Sequence, residues 1–123
     1  MSETELRAGT VAVGGAVVCT FAGDIHLGTE GELRSVLAEA LGRLPQVLAI
    51  DLSGVELFTS SGLSELIIVR TEAAGRGVPV VLVAPSSGVR RVLELTDALG
   101  VFPVYATVEE AVRHPGNRLP PGG

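Results

Sequence analysis

The sequence predicts one α/β domain, a mixed but mostly parallel β-sheet packed with about four α-helices. Its 123 residues suffice for one well-buried core and fall short of two. Hydrophobic residues make up 46% and aromatics only 3%, so the core is expected to be aliphatic packing between helices and a sheet. Short β-branched runs alternate with helix-period stripes in the order strand, strand, helix, strand, helix, strand, helix, strand, helix. Repeated βα units of this kind imply parallel pairing with helices laid over the sheet.

The first two strands read as a hairpin, Val11 and Val13 facing the apolar run Val17 to Ala22 across a Gly14-Gly15 turn. Thr29 and Glu32 have capping-box spacing, and Leu33, Val36, Leu37, Ala40, Leu41 and Leu44 follow as one helical stripe that Pro45 ends. Val47 to Leu52 is a continuous apolar run of the kind covered on both faces. Ser60 or Ser61 is then placed to cap a helix through Leu63, Leu66, Ile67, Arg70 and Ala74, ending near Gly75 or Gly77.

Val78 to Ala84 is the next strand, and Pro85-Ser86-Ser87 opens a helix carrying Val89, Val92 and Leu93. After Gly100 comes a short strand, Val101 to Tyr105. Thr107 and Glu110 then repeat the capping-box spacing ahead of a last helix with Val108, Ala111 and Val112 on its apolar side. Residues 1–5 are expected to be a flexible N-terminus, 6–113 the domain, and 114–123 a disordered Pro/Gly-rich tail.

Nine Lys plus Arg against 14 Asp plus Glu give a formal charge of -5, which repels a phosphate backbone and argues against nucleic acid as a direct partner. The single Cys19 cannot form an intramolecular disulfide, and no basic start followed by an apolar stretch marks a signal peptide, so a cytoplasmic location is expected. No apolar run approaches the roughly 20 residues that a membrane span needs. Cys19 reads as a small buried hydrophobe, and two separated histidines, His26 and His114, with one cysteine give no metal-ligand spacing. There is no Gly-x-Ser-x-Gly elbow, and Gly14-Gly15 lacks the strand-loop-helix context of a nucleotide site. Neither a catalytic constellation nor a cofactor site is expected. Arg90 and Arg91 read as a solvated helix face.

The informative stretch runs from Asp51 to Leu63, where three hydroxyl residues, Thr59, Ser60 and Ser61, precede Gly62 and an apolar helix. One hydroxyl can cap the helix by accepting from an unpaired backbone N–H. A second use is as a phosphate acceptor, since a helix N-terminus favours negative charge and phosphoserine adds about -1.5 to -2. On an acidic surface such a dianion would oppose any partner interface built around it, so phosphorylation would switch binding off.

These landmarks resemble the STAS-domain anti-sigma-factor antagonists, the partner-switching proteins of bacteria. Ala22-Gly23-Asp24-Ile25-His26 is similar to the family's Gly-Glu-hydrophobic-Asp turn after the second strand, and Thr59-Ser60-Ser61-Gly62-Leu63 to its Asp-Ser-Ser-Gly-Leu phosphorylation motif. Val78 to Val83, the Val89 to Thr96 helix and Thr107-Val108-Glu109-Glu110-Ala111 resemble later elements in the same order.

The resemblance implies a STAS-like fold and Ser61 as phosphate acceptor for an anti-sigma-factor serine kinase of the ATP-binding type, with Ser60 the neighbouring alternative. It implies a partner-binding surface of Asp24, His26, Thr59, Ser60, Ser61 and Gly62, through which the unmodified chain holds an anti-sigma factor and frees a sigma factor. Two positions depart from the pattern: Thr59 stands where the family has Asp, and His26 where an acidic residue is expected. Both remove a carboxylate from beside the acceptor. A non-phosphorylated STAS adaptor or scaffold subunit in a regulatory or transport-associated complex, and a small-ligand sensor using the helix N-terminus near Ser60 and Ser61, are the other readings.

Overall fold

The computed structural model describes residues 6–115, and the expected flexible N-terminus and most of the expected tail lie outside them. Nine elements follow the anticipated order: β1 Arg7–Val13, β2 Ala16–Ile25, α1 Glu30–Gly42, β3 Val47–Phe58, α2 Ser60–Gly75, β4 Val80–Val83, α3 Ser87–Leu95, β5 Val104–Tyr105 and α4 Val108–Ala111. The sheet runs β1-β2-β3-β4-β5. Only the β1–β2 hairpin is antiparallel, turned through Gly14 at φ 60, a backbone conformation that glycine adopts without a Cβ penalty. Among the described residues no helix is long and apolar enough to cross a membrane.

Two aliphatic layers hold the sheet. On one face α1, α2 and α3 press Leu33, Leu37, Leu66 and Leu93 onto Phe21, Ile50 and Leu82; on the other, Ala111 of α4 covers Val47, Ala49 and Val81. Because β2 and β3 are parallel neighbours and α1 and α2 lie over the same face, the two helices run side by side in the same direction.

The strand ends depart from expectation. β3 does not stop at Leu52 but continues to Phe58, and β2 follows it through two register shifts, between Thr20 and Ala22 and between Gly23 and Asp24. Partners move from Thr20–Asp51 to Asp24–Leu57, so β3 takes up two extra residues as bulges, and continuous apolar patterning is lost there while pairing is kept. Gly54 makes this close approach possible, since a Cβ there would stand 2.9 Å from Ala22 Cβ. β4 and β5 are shorter than expected, with Phe102 buried in the loop ahead of β5.

The helix faces also shift. In α1 Leu33, Leu37, Ala40 and Leu41 are buried as expected, but Leu44 lies past the helix end at φ 51 and is exposed. In α2 Leu63 and Leu66 point inward with Gly62, Glu65, Val69 and Ala73, whereas Ile67, Arg70 and Ala74 face outward. The buried face thus includes a charged residue, Glu65, that apolar spacing cannot reveal.

Ser86 caps α3, accepting from Val89 N at 3.4 Å while its hydroxyl donates to Val55 O at 2.6 Å. Thr107 caps α4 by accepting from Glu110 N at 3.2 Å. His114, expected to begin the tail, is instead tied to the fold: its Nδ1 lies 2.7 Å from the Tyr105 hydroxyl, with the rings edge to face.

Candidate functional site

Parallel pairing of β2 with β3 delivers Ile25 and Phe58 side by side, so the loop entering α1 and the turn entering α2 adjoin at the carboxyl ends of the strands. Thr59 joins them. Its backbone N–H and its hydroxyl both donate to Ile25 O, at 3.2 and 3.3 Å, and its Oγ1 lies 2.9 Å from Ser61 Oγ. With the single Thr59 hydroxyl proton on Ile25 O, Ser61 is the donor in that second bond.

The hydroxyl cap expected at Ser60 or Ser61 is not formed. Thr59 is the N-cap residue, in extended conformation and with no side-chain cap bond, and its carbonyl closes the first turn by accepting from Gly62 N at 3.0 Å and Leu63 N at 3.2 Å. A side chain committed to the neighbouring strand cannot also curl over its own helix. Ser60 and Ser61 thus occupy the first turn of α2, Ser60 exposed and Ser61 half-buried, and that turn holds no acidic residue. The first turn of α2 therefore supplies no counter-charge of its own to the positive end of the helix dipole.

Gly62 sets how close this turn sits to the sheet. A Cβ there would fall 2.5 Å from Ile25 Cγ2 and 2.9 Å from Phe58 Cε1. Expected on the partner-binding surface, Gly62 is instead buried and acts by letting α2 pack directly on the strand ends.

The β2–α1 loop is stapled by Thr29 rather than capped by it. Thr29 Oγ1 donates to Asp24 O at 2.8 Å and accepts from His26 N at 3.0 Å, and α1 has no side-chain cap bond. His26 Nδ1 accepts from Gly28 N at 2.8 Å, which orients the ring across the loop. His26 is half-buried and organises the turn, and Asp24 is half-buried beside Leu57 of β3. Of the six residues expected at the site, the structure brings Asp24, His26, Thr59, Ser60 and Ser61 to one rim.

Sequence reasoning missed two kinds of residue. Leu27 at the loop tip is 76% exposed and Leu57 is 46% exposed, giving the rim an apolar component, and Ile67 and Ile68 are exposed further along α2. Only the strand register reveals that Leu57 points out.

Glu65 is the other omission. It is buried, and Arg34 of α1 clasps it with two bonds, Nε to Oε1 at 2.9 Å and Nη2 to Oε2 at 2.6 Å, while Glu30 Oε2 stands 3.7 Å from the same Nη2. The Arg34 hydrogen bonds hold the Glu65 carboxyl below the usual carboxylate range against the opposing pull of burial. Elsewhere Cys19 is buried, and that burial pushes its thiol up. Arg90 and Arg91 are exposed, as expected of a solvated face.

Comparison with known proteins agrees with this arrangement. The chain is 32% identical over 98 residues to the anti-sigma-F factor antagonist RsfB of Mycobacterium tuberculosis, covering 80% of each. It is similar in structure to an anti-sigma factor antagonist from Mycobacterium paratuberculosis, with TM-score 0.77, 27% identity and coverage of 91% of this chain and 95% of that one. Unphosphorylated SpoIIAA, the Bacillus cell fate determinant, shares the fold at TM-score 0.76 and 19% identity, covering 93% of this chain and 100% of that one. The STAS domain model matches residues 8–111, which span the hairpin, the stapled turn and α4 alike, and the chain therefore belongs to the STAS domain family.

Proposed function

We propose that this chain is an anti-sigma factor antagonist. Unmodified, it binds an anti-sigma factor that is also an ATP-using serine kinase and so frees a sigma factor; phosphate on Ser61 ends the complex. The observation that carries the reading is the Ser61 hydroxyl, half-buried but held by Thr59 at the N-terminus of α2, on a rim that also exposes Leu27 and Leu57. The antagonist names of the relatives support it, as does SpoIIAA having been solved in both unphosphorylated and phosphorylated forms.

In the transfer, the bond between the ATP γ-phosphorus and its leaving oxygen breaks, a bond from Ser61 Oγ to that phosphorus forms, ADP departs and the hydroxyl proton goes to the kinase. Thr59 supplies orientation where the family has Asp. It accepts the Ser61 hydrogen bond without the basicity of a carboxylate, so removal of the proton falls to the partner. The resulting dianion suits the helix N-terminus and opposes an interface already lined by Asp24.

Incubation with the cognate kinase and ATP is expected to add one phosphate at Ser61, and Ser61→Ala to remain bound to the kinase. A purified cognate pair that shows neither result removes the mechanism.

A further inference from the structure

Ser61 and Glu65 stand one helical turn apart on α2, a spacing that puts their side chains on the same face. Helical side chains lean toward the N-terminus, so the Glu65 carboxylate and the guanidinium clasped to it reach back toward the turn that Ser61 occupies. The face of α2 that meets α1 carries Glu65, Ile68 and Val69 against Arg34, Leu37 and Ala38, and Ser61 precedes Glu65 by one turn on that face. We propose that Arg34 receives the phosphate on Ser61, sharing or surrendering its clasp on Glu65 and thereby conveying the modification into the α1–α2 seam. The inference rests on the reading of Ser61 as the phosphate acceptor.

The charges around the site favour this. The titratable and charged groups on the elements around Ser61 are Asp24 at the end of β2, His26 in the β2–α1 loop, Glu30 and Arg34 from α1, and Glu65 on α2 itself. Three of these five groups are carboxylates, and a dianion placed among them is repelled unless a cation turns toward it. Arg34 is able to turn. Its side chain is 56% exposed, and its Nη1 makes no hydrogen bond to protein among the described residues. A planar guanidinium with five donors can bind carboxylate on one edge and phosphate on another.

A buried Glu65 that loses part of its clasp must take up a proton or move toward water. Glu65 and Arg34 also line, with Leu37, Ala38, Ile68 and Val69, a groove of about 180 Å³ between the helices. Movement of the clasp therefore reshapes the seam as well as the rim where charge is added.

The test uses the full chain with phosphoserine installed at position 61 during translation, so that no kinase is needed, and follows the second ionisation of the phosphate by ³¹P NMR. With Arg34 present the midpoint is expected to lie about half a pH unit lower than in Arg34→Ala, about a threefold difference in proton affinity. Midpoints that coincide within about 0.1 unit overturn the proposal and assign the phosphate to the helix N-terminus alone. Should Arg34→Ala fail to fold, Glu65→Gln decides: freeing Arg34 of its competitor should lower the midpoint further, and phosphorylation of the unsubstituted chain should shift the Arg34 Nε–Hε resonance. Neither change occurring is equally fatal. Failure of a cognate kinase to label Ser61 would sink the functional reading but leave these measurements intact.

Discussion

Thr59 and Ser61 are coupled through one oxygen: Thr59 Oγ1 donates its proton to Ile25 O on the neighbouring strand and takes up the Ser61 hydroxyl at 2.9 Å. Thr59 is thus a strut between β2 and Ser61, the proposed acceptor. Thr59→Val keeps the shape and removes both bonds. It is expected to cost about 1 kcal/mol in urea unfolding and to slow phosphorylation of Ser61 without abolishing it. An unchanged initial rate with the cognate kinase would show that the strut does not orient the acceptor.

Gly62 is expected to tolerate no side chain. Gly62→Ala forces its new methyl against Ile25 and Phe58 and should destabilise the domain by about 1–3 kcal/mol, read as a lower urea midpoint. Gly100→Ala is the control, because a Cβ there meets no atom within 4 Å; its effect should stay within about 0.5 kcal/mol.

The Glu65 clasp predicts an acid-sensitive stability. Its carboxyl is held below the unfolded value of about 4.3, so the unfolded chain takes up the proton first as pH falls. The contribution is complete above that unfolded value and is lost as pH drops through the lower folded one. Urea midpoints measured from pH 6 to pH 3 should fall more steeply for the unsubstituted chain than for Glu65→Gln. Parallel curves would show that the clasp adds nothing to stability.

The apolar rim predicts where the partner docks. Leu27→Asp should weaken binding of the anti-sigma factor by about 30-fold, near 2 kcal/mol, with the melting temperature unchanged, since Leu27 is 76% exposed and supports no packing. Leu95→Asp alters a residue 74% exposed at the far end of α3 and should leave affinity as it was. Titration calorimetry separates the two, and equal affinities for both variants would move the interface elsewhere.

The element order, the α1 stripe and the crowded hydroxyls ahead of α2 were legible because each depends on neighbours close along the chain. What escaped depends on distant partners. Glu65 is separated from Arg34 by 31 residues, and a charged residue read without its partner looks solvated. The exposure of Ile67 and Ile68 is equally hidden, because apolar character alone does not say whether a covering surface belongs to the same molecule. The hydroxyl cap failed at Thr59 because the competing acceptor, Ile25 O, lies on another strand. The extension of β3 was hidden because bulges break the apolar periodicity while keeping the pairing.

The two bulges between β2 and β3 let one strand outrun the other without falling out of step. Each bulge sets two β3 residues against one step of β2 and shifts the inward positions by one, from Leu48, Ile50 and Leu52 to Val55 and then to Phe58, which arrives level with Ile25. The surplus is absorbed as local bends, and the pairing of Ile25 with Phe58 that seats the turn into α2 is held beyond them.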